Sequence, residues 1–370
     1  MQIKPNDPVL LAAAVAVITL AILFVLSTKS QMASDFTNGN GTDAMLEKTA
    51  LFPRAPELSG IAGYINAPEG FRLADVKGKV VLIDFWTYSC INCIRTLPYL
   101  TAWDGKYRDK GLVIVGVHSP EFEFEQEYGN VKTAVEKYGI KYPVVLDNSF
   151  STWRSYGNRF WPHKYLIDAD GFIRYDHIGE GAYEETELMI QKLLAERDKK
   201  IEMGELVSDD IKSDVDFSGI GTPEIYFGYS LALPGRNYLG SPEGFQPDKV
   251  VEYSIPQTVQ PNLAYLEGEW LNSADYMELA SDTGKVVLKY QARNVNIVAG
   301  QDGNLTILLE GRPATAAEAG ADARITGGSA VVRTDEHRLY SVVDDEDYYQ
   351  KTLEIDVRGK GFRIYTFTFG

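Results

Sequence analysis

The sequence predicts an α/β domain followed by an all-β sandwich, with one transmembrane helix at the N-terminus. Three features support this prediction. An uninterrupted apolar run lies near the N-terminus, strand and helix patterns alternate from about residue 53 to residue 200, and helix patterns almost vanish beyond residue 222. Strands that alternate with helices are typical of an α/β sheet, whereas short strands separated by Gly, Asn and Asp are typical of a β-sandwich.

The N-terminal apolar run extends from Val9 to Leu26 without a charged residue. A membrane-spanning helix needs about 20 such residues, whereas the apolar part of a cleaved signal peptide has about 7–15. Residues 28–30 are also a poor cleavage site. Residues 1–30 therefore favour a single-pass membrane anchor over a signal peptide. In either case we expect the remaining chain to be exported, with both domains on the extracytoplasmic side.

The remaining chain divides by pattern into four segments. Residues 31–52 begin with a polar, Gly- and Asn-rich stretch and predict a flexible tether. Residues 53–200 predict the α/β domain, residues 201–221 a charged linker, and residues 222–370 the β-sandwich. Within the α/β domain we expect strands at 79–86, 112–117, 142–146, 164–167 and 172–178, and helices at 91–107, 122–138 and 183–199.

Composition excludes some classes of protein. The net charge of −16 argues against nucleic acid as a partner, because phosphates are bound through clustered Lys and Arg. Only two cysteines are present, Cys90 and Cys93, so none is left for a distant structural disulfide. The pair is therefore chemical, or else half of a zinc site. Zinc is the weaker interpretation, because the four histidines are scattered along the chain.

Cys90 and Cys93 lie where a predicted buried strand is followed by a helix. A thiolate at a helix N-terminus is stabilised by unpaired backbone N–H groups, so we expect a lowered pKa for Cys90. Cys90 would then be the exposed, attacking sulfur. Cys93, one turn into the helix, would resolve the mixed disulfide.

The segment Asp84-Phe-Trp-Thr-Tyr-Ser-Cys-Ile-Asn-Cys93 resembles the active site of thioredoxin-like proteins of the TlpA/redoxin-like kind. Its residues are most similar to those of the DipZ-type proteins of cytochrome c biogenesis. Further stretches support this resemblance over roughly residues 53–370, among them 116–122, 164–168, 222–226 and 367–370. DipZ-type proteins usually carry a CcdA-like membrane domain ahead of this region. Here one anchor stands in its place, so we expect a separate electron donor of the CcdA type.

The resemblance implies roles for individual residues. Asp84 would accept the proton of Cys93, since a carboxyl in an apolar strand has a raised pKa. Trp161–Pro162 would be a cis peptide bond beside the dithiol, with Trp161 facing the client peptide. Trp86 would cover the site, although core packing is its alternative role. No cofactor is implied.

Other functions remain open on the same scaffold. A thiol peroxidase is the second enzyme possibility, although Ile83 stands where peroxidatic sites usually have Pro. A Cu(I) carrier could add His163 to the two sulfurs. His118 and Glu121 could line the rim of the site. The Tyr-rich sandwich resembles a carbohydrate-binding module with a jelly-roll fold, which implies a glycan or protein ligand, although its aromatic residues also suit a plain core.

The sequence therefore predicts a membrane-anchored thiol–disulfide oxidoreductase outside the cytoplasm. Its substrates would be disulfides of exported proteins, which it would reduce, with apocytochrome c as the client that the resemblance suggests.

Overall fold

The computed structural model describes residues 41–207, 211, 215–232 and 238–370. The predicted anchor at residues 1–30 lies outside these described ranges, and so does the first part of the predicted tether. Within the described ranges, no helix combines the length and apolar character needed to cross a membrane. The chain divides into two units, Met1–Ala55 and Pro56–Gly370.

Helix α1, Gly41–Leu51, occupies the second half of the segment that the sequence predicts as a flexible tether. That prediction is wrong for these residues. From Ala44 onward the segment consists mainly of Ala, Leu, Met, Glu and Lys, which are strong helix formers, and it contains neither Gly nor Pro. Local propensity therefore forms a helix here, although the preceding stretch is polar and Gly-rich.

The α/β part is built on a mixed sheet. Its strands in the described chain are β1 Gly63–Ile65, β2 Val80–Trp86, β3 Leu112–His118, β4 Val144–Leu146, β5 His163–Ile167 and β6 Ile173–Ile178. Their order is β1-β4-β3-β2-β5-β6. The three middle strands β4, β3 and β2 are parallel, whereas β1, β5 and β6 are antiparallel to their neighbours. The predicted α/β fold is thus confirmed.

Strand β2 is the central strand, and every residue in it is buried. This burial explains its almost continuous apolar run, because a strand covered on both faces does not alternate polar and apolar residues. The helices of this part are α2 Ile91–Tyr107, α3 Tyr128–Lys137, α4 Ser151–Ser155 and α5 Tyr183–Arg197. Helix α2 follows directly on the loop after β2, and this connection places both cysteines at its N-terminus.

The predicted helix at residues 122–138 is divided in the structure. A 3₁₀ turn at Glu123–Gln126 precedes α3, and Glu127 between them has an extended backbone with ψ 115°. The break accompanies packing of Phe122 and Phe124 on Tyr365, which is distant in the sequence, and a local contact of Glu125. The Glu125 carboxylate accepts the backbone N–H of Glu121 at 2.6 Å and of Phe122 at 3.0 Å, which fixes the tight turn.

Beyond residue 222 the chain forms a large antiparallel sheet that is nearly barrel-shaped, so the predicted all-β character is confirmed. The strands of the described chain are β7 Ile225–Tyr226, β8 Val250–Tyr253, β9 Ala264–Asn272, β10 Met277–Leu279, β11 Thr283–Gln291, β12 Asn294–Gly300, β13 Gly303–Leu309, β14 Arg312–Pro313, β15 Ala323–Thr326, β16 Ser329–Thr334, β17 Arg338–Asp344, β18 Gln350–Arg358 and β19 Arg363–Phe369. Their order in the sheet is β15-β16-β13-β18-β11-β9-β10-β19-β12-β17, with β14, β7 and β8 paired to β13, β19 and β9.

Strand β9 joins the two halves of this sheet. Its first half pairs with β11, and its second half pairs with β8 and β10. Gly268 lies where the pairing of β9 changes from β11 to β8. Its φ is +96°, a left-handed value that favours glycine. Because β9 turns here, residues of both halves such as Leu288 and Phe367 share one hydrophobic core.

The α/β part and the β-sheet part contact each other through aromatic rings. Phe122 and Phe124 lie with their ring centroids 5.2 and 4.7 Å from that of Tyr365, and His337 stacks on Phe124 at 5.1 Å. We call these four residues the interdomain aromatic cluster. Tyr365 belongs to the same hydrophobic core as the α/β part. The two parts therefore form one compact unit, Pro56–Gly370.

The predicted linker at residues 201–221 is described only in part, since 208–210 and 212–214 lie outside the described ranges. Val207 and Ile211 of this segment contact the α/β part, whereas Asp216 and Gly221 contact the β-sheet part. The backbone N–H of Val207 donates to the buried carboxylate of Glu187, and the Tyr99 hydroxyl donates to the carbonyl of Ile211 at 2.9 Å. These contacts attach Val207 to helix α5 and Ile211 to helix α2.

Candidate active site

Cys90 and Cys93 occupy the N-terminus of α2, as the sequence predicts. Cys90 is the cap residue, with an extended backbone, and its Sγ accepts the backbone N–H of Cys93 at 3.2 Å. Cys90 keeps 9% of its surface exposed, whereas Cys93 keeps 1%. The predicted exposure of Cys90 is therefore wrong, since both thiols are buried. Cys90 is still the more accessible of the two, which suits the attacking role, and Cys93 is placed to act only after a disulfide has formed on Cys90.

The predicted lowering of the Cys90 pKa is wrong. Burial raises the pKa of this thiol, and the carboxylates of Glu224 and Glu121 raise it further. The hydrogen-bonding contribution of Cys93 at the helix terminus acts in the opposite direction but is smaller than the effect of burial. Burial also raises the pKa of Cys93 well above its ordinary value, and Cys90 and Asp84 add to this effect. Both sulfurs therefore favour the thiol form.

Asp84 lies beneath the cysteines in the middle of β2. The carboxyl group is 1% exposed, and burial raises its pKa to about 7, against a lowering effect of the nearby Lys164 ammonium. Lys164 stands directly opposite Asp84 in the register of β2 and β5. Asp84 and Cys93 are also close enough for the carboxylate charge to raise the Cys93 pKa. A carboxyl with a pKa near neutrality beside a resolving thiol is suited to accept its proton.

Lys164 is a member of the site that the sequence analysis missed. Its side chain is fully buried, and its Nζ donates to the carbonyl of Gly179 at 3.1 Å. Burial lowers its pKa, while the charges of Asp84 and Cys93 oppose this lowering. A lysine within an otherwise apolar strand was the sequence signal that could have identified it, because Lys is almost never fully buried unless paired.

Trp161–Pro162 is a cis peptide bond, as the sequence predicts. The register of β5 against β2 pairs His163 with Phe85, which brings Pro162 opposite the end of β2 and beside the cysteine loop. Trp161 is half-buried: its indole packs on Trp153 with ring centroids 4.3 Å apart. Its Nε1–H donates to the carbonyl of Ser119 at 3.0 Å, which fixes the ring at this edge of the sheet.

Trp86 and His118 lie in the core rather than at the surface of the site. Trp86 has no exposed surface, and its ring packs edge-on against His118 at 5.3 Å. His118 is equally buried, and its Nε2 lies 3.3 Å from the hydroxyl of Thr87. Burial lowers the pKa of His118 to about 3. The prediction that Trp86 covers the site is therefore wrong, and its alternative role in core packing is the one observed. The interpretation of His118 as a rim residue is also wrong.

The loop before Cys90 is held by Glu125, another residue that the sequence analysis missed. Ser89 Oγ donates to Glu125 Oε1 at 2.5 Å, and both residues are buried. Burial raises the pKa of Glu125, while the hydroxyls of Ser89 and Thr87 lower it. Because this carboxylate also accepts the backbone N–H of Glu121, it ties the cysteine loop to the segment after β3.

Glu121 lies near the site, as the sequence suggested, but its partner comes from the β-sheet part. The Tyr226 hydroxyl donates to Glu121 Oε1 at 2.6 Å, and Glu224 Oε2 lies 3.2 Å from the same hydroxyl. Burial raises the pKa of Glu121 to about 8, and the charges of Glu224 and Glu125 raise it further. The β-sheet part therefore contributes two polar side chains to the surroundings of Cys90.

His163 is fully engaged inside the α/β part. Its Nδ1 lies 2.7 Å from Asn158 Oδ1 and its Nε2 lies 3.0 Å from Asp176 Oδ2. Neither ring nitrogen is thus directed toward the sulfurs, which argues against a Cu(I) site that includes His163. Over the described part of the chain, no group of three or more His, Cys, Asp or Glu side chains is arranged to hold a metal ion.

A cavity of about 270 Å³ opens beside the cysteine loop, between α3 and the turn that joins β16 to β17. Its walls include Tyr88 from the loop, Lys137 from α3 and Glu336 from the β-sheet part. The Tyr88 hydroxyl donates to the carbonyl of His337 at 3.3 Å and closes one side of this cavity. This cavity is therefore shared between the two parts of the unit.

Comparison with known proteins gives two family matches. The AhpC/TSA family matches residues 54–176, which contain both cysteines, and a family described as the thioredoxin-like C-terminal domain matches residues 222–370, which contain Tyr226. The protein DipZ of Mycobacterium bovis is 37% identical over 320 residues, which are 85% of this chain and 43% of DipZ. The chain thus spans less than half the length of that relative.

A shorter relative is covered almost completely. The thiol-disulfide oxidoreductase ResA of Bacillus anthracis is 32% identical over 174 residues, which are 46% of this chain and 92% of ResA. Among solved structures, a thiol-disulfide isomerase from Corynebacterium glutamicum is 25% identical and matches 38% of this chain and 97% of its own, with a TM-score of 0.35.

Proposed function

We propose that this chain, which belongs to the family of thioredoxin-like thiol–disulfide oxidoreductases, reduces disulfides of exported proteins through Cys90 and Cys93. The observation that carries this proposal is the pair of buried thiols at the start of α2, with Asp84 beneath them at a pKa of about 7. The arrangement supplies an attacking sulfur, a resolving sulfur and a proton acceptor.

The reaction proceeds in two exchanges. The Cys90 thiolate, its proton released to solvent, attacks one sulfur of the client disulfide, and the other client sulfur leaves as a thiolate. Cys93 then attacks the Cys90 sulfur, transfers its proton to Asp84 and releases the second client thiolate. The client gains two electrons, and the enzyme ends with a Cys90–Cys93 disulfide. A separate dithiol donor must reduce this disulfide before the next cycle.

The surroundings of the two sulfurs favour one direction of electron flow. Strongly oxidising members of this chemistry have a reduced form that the protein stabilises as a thiolate. Here burial and two carboxylates disfavour the Cys90 thiolate, and burial disfavours that of Cys93. The reduced pair is therefore not stabilised as a thiolate, and it gives up its electrons more readily. This feature supports a reductase.

Location and partners extend the proposal. The apolar run at residues 9–26 supports a membrane anchor with both parts of the chain on the extracytoplasmic side. The electron donor is then a separate membrane protein of the CcdA type, and the client includes apocytochrome c during cytochrome c maturation. The resemblance of the cysteine segment to the DipZ-type proteins of cytochrome c biogenesis supports these roles.

The β-sheet part acts in this proposal as a positioning module with a jelly-roll fold of the carbohydrate-binding-module type. Support comes from the two facing halves of the sheet, which β9 connects around one core, and from the cavity that this part shares with Tyr88. Its ligand is a glycan or a segment of the client protein.

The reduction potential of the Cys90–Cys93 pair tests the proposal. Residues 41–370 are equilibrated with glutathione or dithiothreitol buffers, and the fraction of disulfide is measured by alkylation and mass spectrometry. A value near that of thioredoxin, about −270 mV, supports a reductase, whereas a value near about −120 mV reverses the direction of electron flow. A pair that forms no reversible disulfide refutes the oxidoreductase activity.

Thiol peroxidase activity is the second candidate, favoured by the AhpC/TSA match over residues 54–176. A peroxide is attacked by the thiolate, as a disulfide is, so the raised pKa of Cys90 slows both reactions and does not separate the two activities. Consumption of hydrogen peroxide by the reduced protein, compared with a Cys90→Ser variant, decides between the two. Peroxide consumption that is faster than disulfide reduction would favour the peroxidase.

A further inference from the structure

One tyrosine of the β-sheet part connects two carboxylates at the entrance to the active site. Tyr226 lies on the short strand β7, which pairs with β19 opposite Thr366. Its hydroxyl donates to Glu121 of the α/β part and lies 3.2 Å from Glu224 of its own part. A phenol has a single proton, so it can satisfy only one of the two carboxylates at a time.

This group is tied to the cysteine loop by direct contacts. The backbone N–H of Glu121 donates to Glu125, and Glu125 in turn accepts the hydroxyl of Ser89, the neighbour of Cys90. The interdomain aromatic cluster begins at Phe122, the residue after Glu121, so packing between the two parts fixes the position of this segment. The placement of the carboxylates relative to Cys90 therefore depends on both parts of the chain.

We propose that Tyr226 is a positioning residue of the active site, which holds the carboxylates of Glu121 and Glu224 toward Cys90. Through it the β-sheet part controls how readily the attacking thiol ionises. This inference rests on the proposed role of Cys90 as the attacking sulfur, and it adds a task for the β-sheet part that differs from ligand binding.

The electrostatics agree with this geometry. The charges of Glu224 and Glu121 raise the pKa of Cys90, and the charge of Cys90 in turn raises the pKa of Tyr226. The hydrogen bond from Tyr226 lowers the pKa of Glu121, so it favours the ionised carboxylate. Other titratable groups around Cys90 are Cys93 on α2, Tyr226 on β7 and Glu125 after β3, which holds the neighbouring Ser89, whereas Asp84 on β2 and Lys164 on β5 act on Cys93.

Removal of the Tyr226 hydroxyl has a predicted sign. Without this donor the pKa of Glu121 rises above about 8, so less negative charge faces Cys90 between pH 8 and 9 than in the wild type. Ionisation of Cys90 then becomes easier. A Tyr226→Phe variant should therefore react faster than the wild type between pH 8 and 9, where Glu121 ionises in the wild type, and about equally at pH 7, where this carboxyl is mostly protonated in both proteins.

The experiment measures alkylation of Cys90 by iodoacetamide between pH 6 and 10 in the reduced protein, residue by residue through mass spectrometry. Iodoacetamide is uncharged, so the carboxylates act on the thiol and not on the probe. We expect the midpoint of the Tyr226→Phe profile to lie at lower pH than that of the wild type. In a Glu121→Gln, Glu224→Gln background the same change should have no further effect, because Tyr226 acts through these two carboxylates.

Tyr229→Phe is the matched control. Its hydroxyl also donates to a carboxylate, Asp248 at 3.1 Å, but this pair lies within the β-sheet part. Its profile should match the wild type. The inference is overturned if Tyr226→Phe leaves the Cys90 midpoint unchanged or raises it, or if it shifts the midpoint equally in the double-glutamine background. Alkylation of Cys90 is measured without a client protein. If the Cys90 midpoint shifts as expected but the protein reduces no disulfide, the proposed function is refuted and the role of Tyr226 is not.

Discussion

Replacement of Asp84 by asparagine is expected to stabilise the folded protein far more at alkaline pH than at acidic pH. The folded protein raises the pKa of Asp84 from 3.8 to about 7 because the carboxyl group is buried. The folded state thus binds this proton more tightly than the unfolded chain. The carboxyl therefore opposes folding increasingly as the pH rises from its unfolded pKa toward 7, and constantly above that value.

The magnitude follows from the same shift. One pKa unit corresponds to about 1.4 kcal/mol, so ionisation of Asp84 lowers the free energy of unfolding by about 3 kcal/mol between pH 5 and pH 9. The side chain is only 1% exposed, so solvent screens little of this effect. Asparagine does not titrate. The stability difference between Asp84→Asn and the wild type should therefore grow by about 3 kcal/mol across this range.

Urea unfolding at pH 5, 7 and 9, followed by tryptophan fluorescence, measures this difference. Buried acids such as Glu121 and Glu125 titrate in both proteins, so their contributions cancel in the comparison. Lys164 needs a control of its own, because it is fully buried and loses its charged partner when Asp84 is replaced. A variant that carries both Asp84→Asn and Lys164→Met removes that charge as well.

The reasoning is refuted if the stability difference between the wild type and Asp84→Asn stays constant from pH 5 to pH 9. Such a result would mean that Asp84 does not titrate in this range, and the carboxyl could then not accept the Cys93 proton at neutral pH. A difference that grows in the single variant but vanishes in the double variant would assign the titration to Lys164 instead.

Three further predictions concern the site and the fold. Cys93→Ser should accumulate a mixed disulfide between Cys90 and a client peptide, visible on a non-reducing gel, whereas Cys90→Ser should form none. Glu187→Ala should lower the free energy of unfolding by about 3 kcal/mol, because the buried carboxylate accepts hydrogen bonds from Trp103, Tyr107 and Lys106. The control is Glu185→Ala: this side chain is exposed, and its loss should change the free energy of unfolding by less than about 0.5 kcal/mol. Gly268→Ala should cost about 1–3 kcal/mol, measured in urea, because φ is +96° and the added carbon would lie 3.1 Å from the Thr283 carbonyl.

The fold was predictable wherever one local pattern dominated. Helix α2 begins and ends where the sequence predicts, and β2 lies within one residue of its predicted range. The helix predicted at 122–138 failed because Phe122 and Phe124 are held by rings from the distant β-sheet part. The tether failed because the polar composition of its first residues was extended over a segment with high helix propensity.

The residues of the site also fall into those that local sequence predicts and those that it does not. Cys90 and Cys93 follow from a C-x-x-C between a predicted strand and a predicted helix, and the role of Asp84 follows from the resemblance of this segment to thioredoxin-like proteins. Lys164 leaves a local signal, a lysine within a buried strand, but its place opposite Asp84 follows from strand register, and Tyr226 reaches the site only through interdomain packing. The acidity of Cys90 was misjudged for the same reason. The helix terminus is a local feature, whereas burial and the Glu224 carboxylate arise from the folded chain.

The two sulfurs thus have separate electrostatic surroundings with different origins. Cys93 is served by Asp84 and Lys164, which lie on adjacent strands of the α/β sheet, so its chemistry needs that sheet alone. Cys90 faces carboxylates that Tyr226 of the β-sheet part holds in place. A change confined to the interface between the two parts should therefore alter the attack on a client while leaving resolution by Cys93 unchanged. This separation means that the rates of mixed-disulfide formation and of its resolution, measured in the same Tyr226→Phe protein, should respond differently.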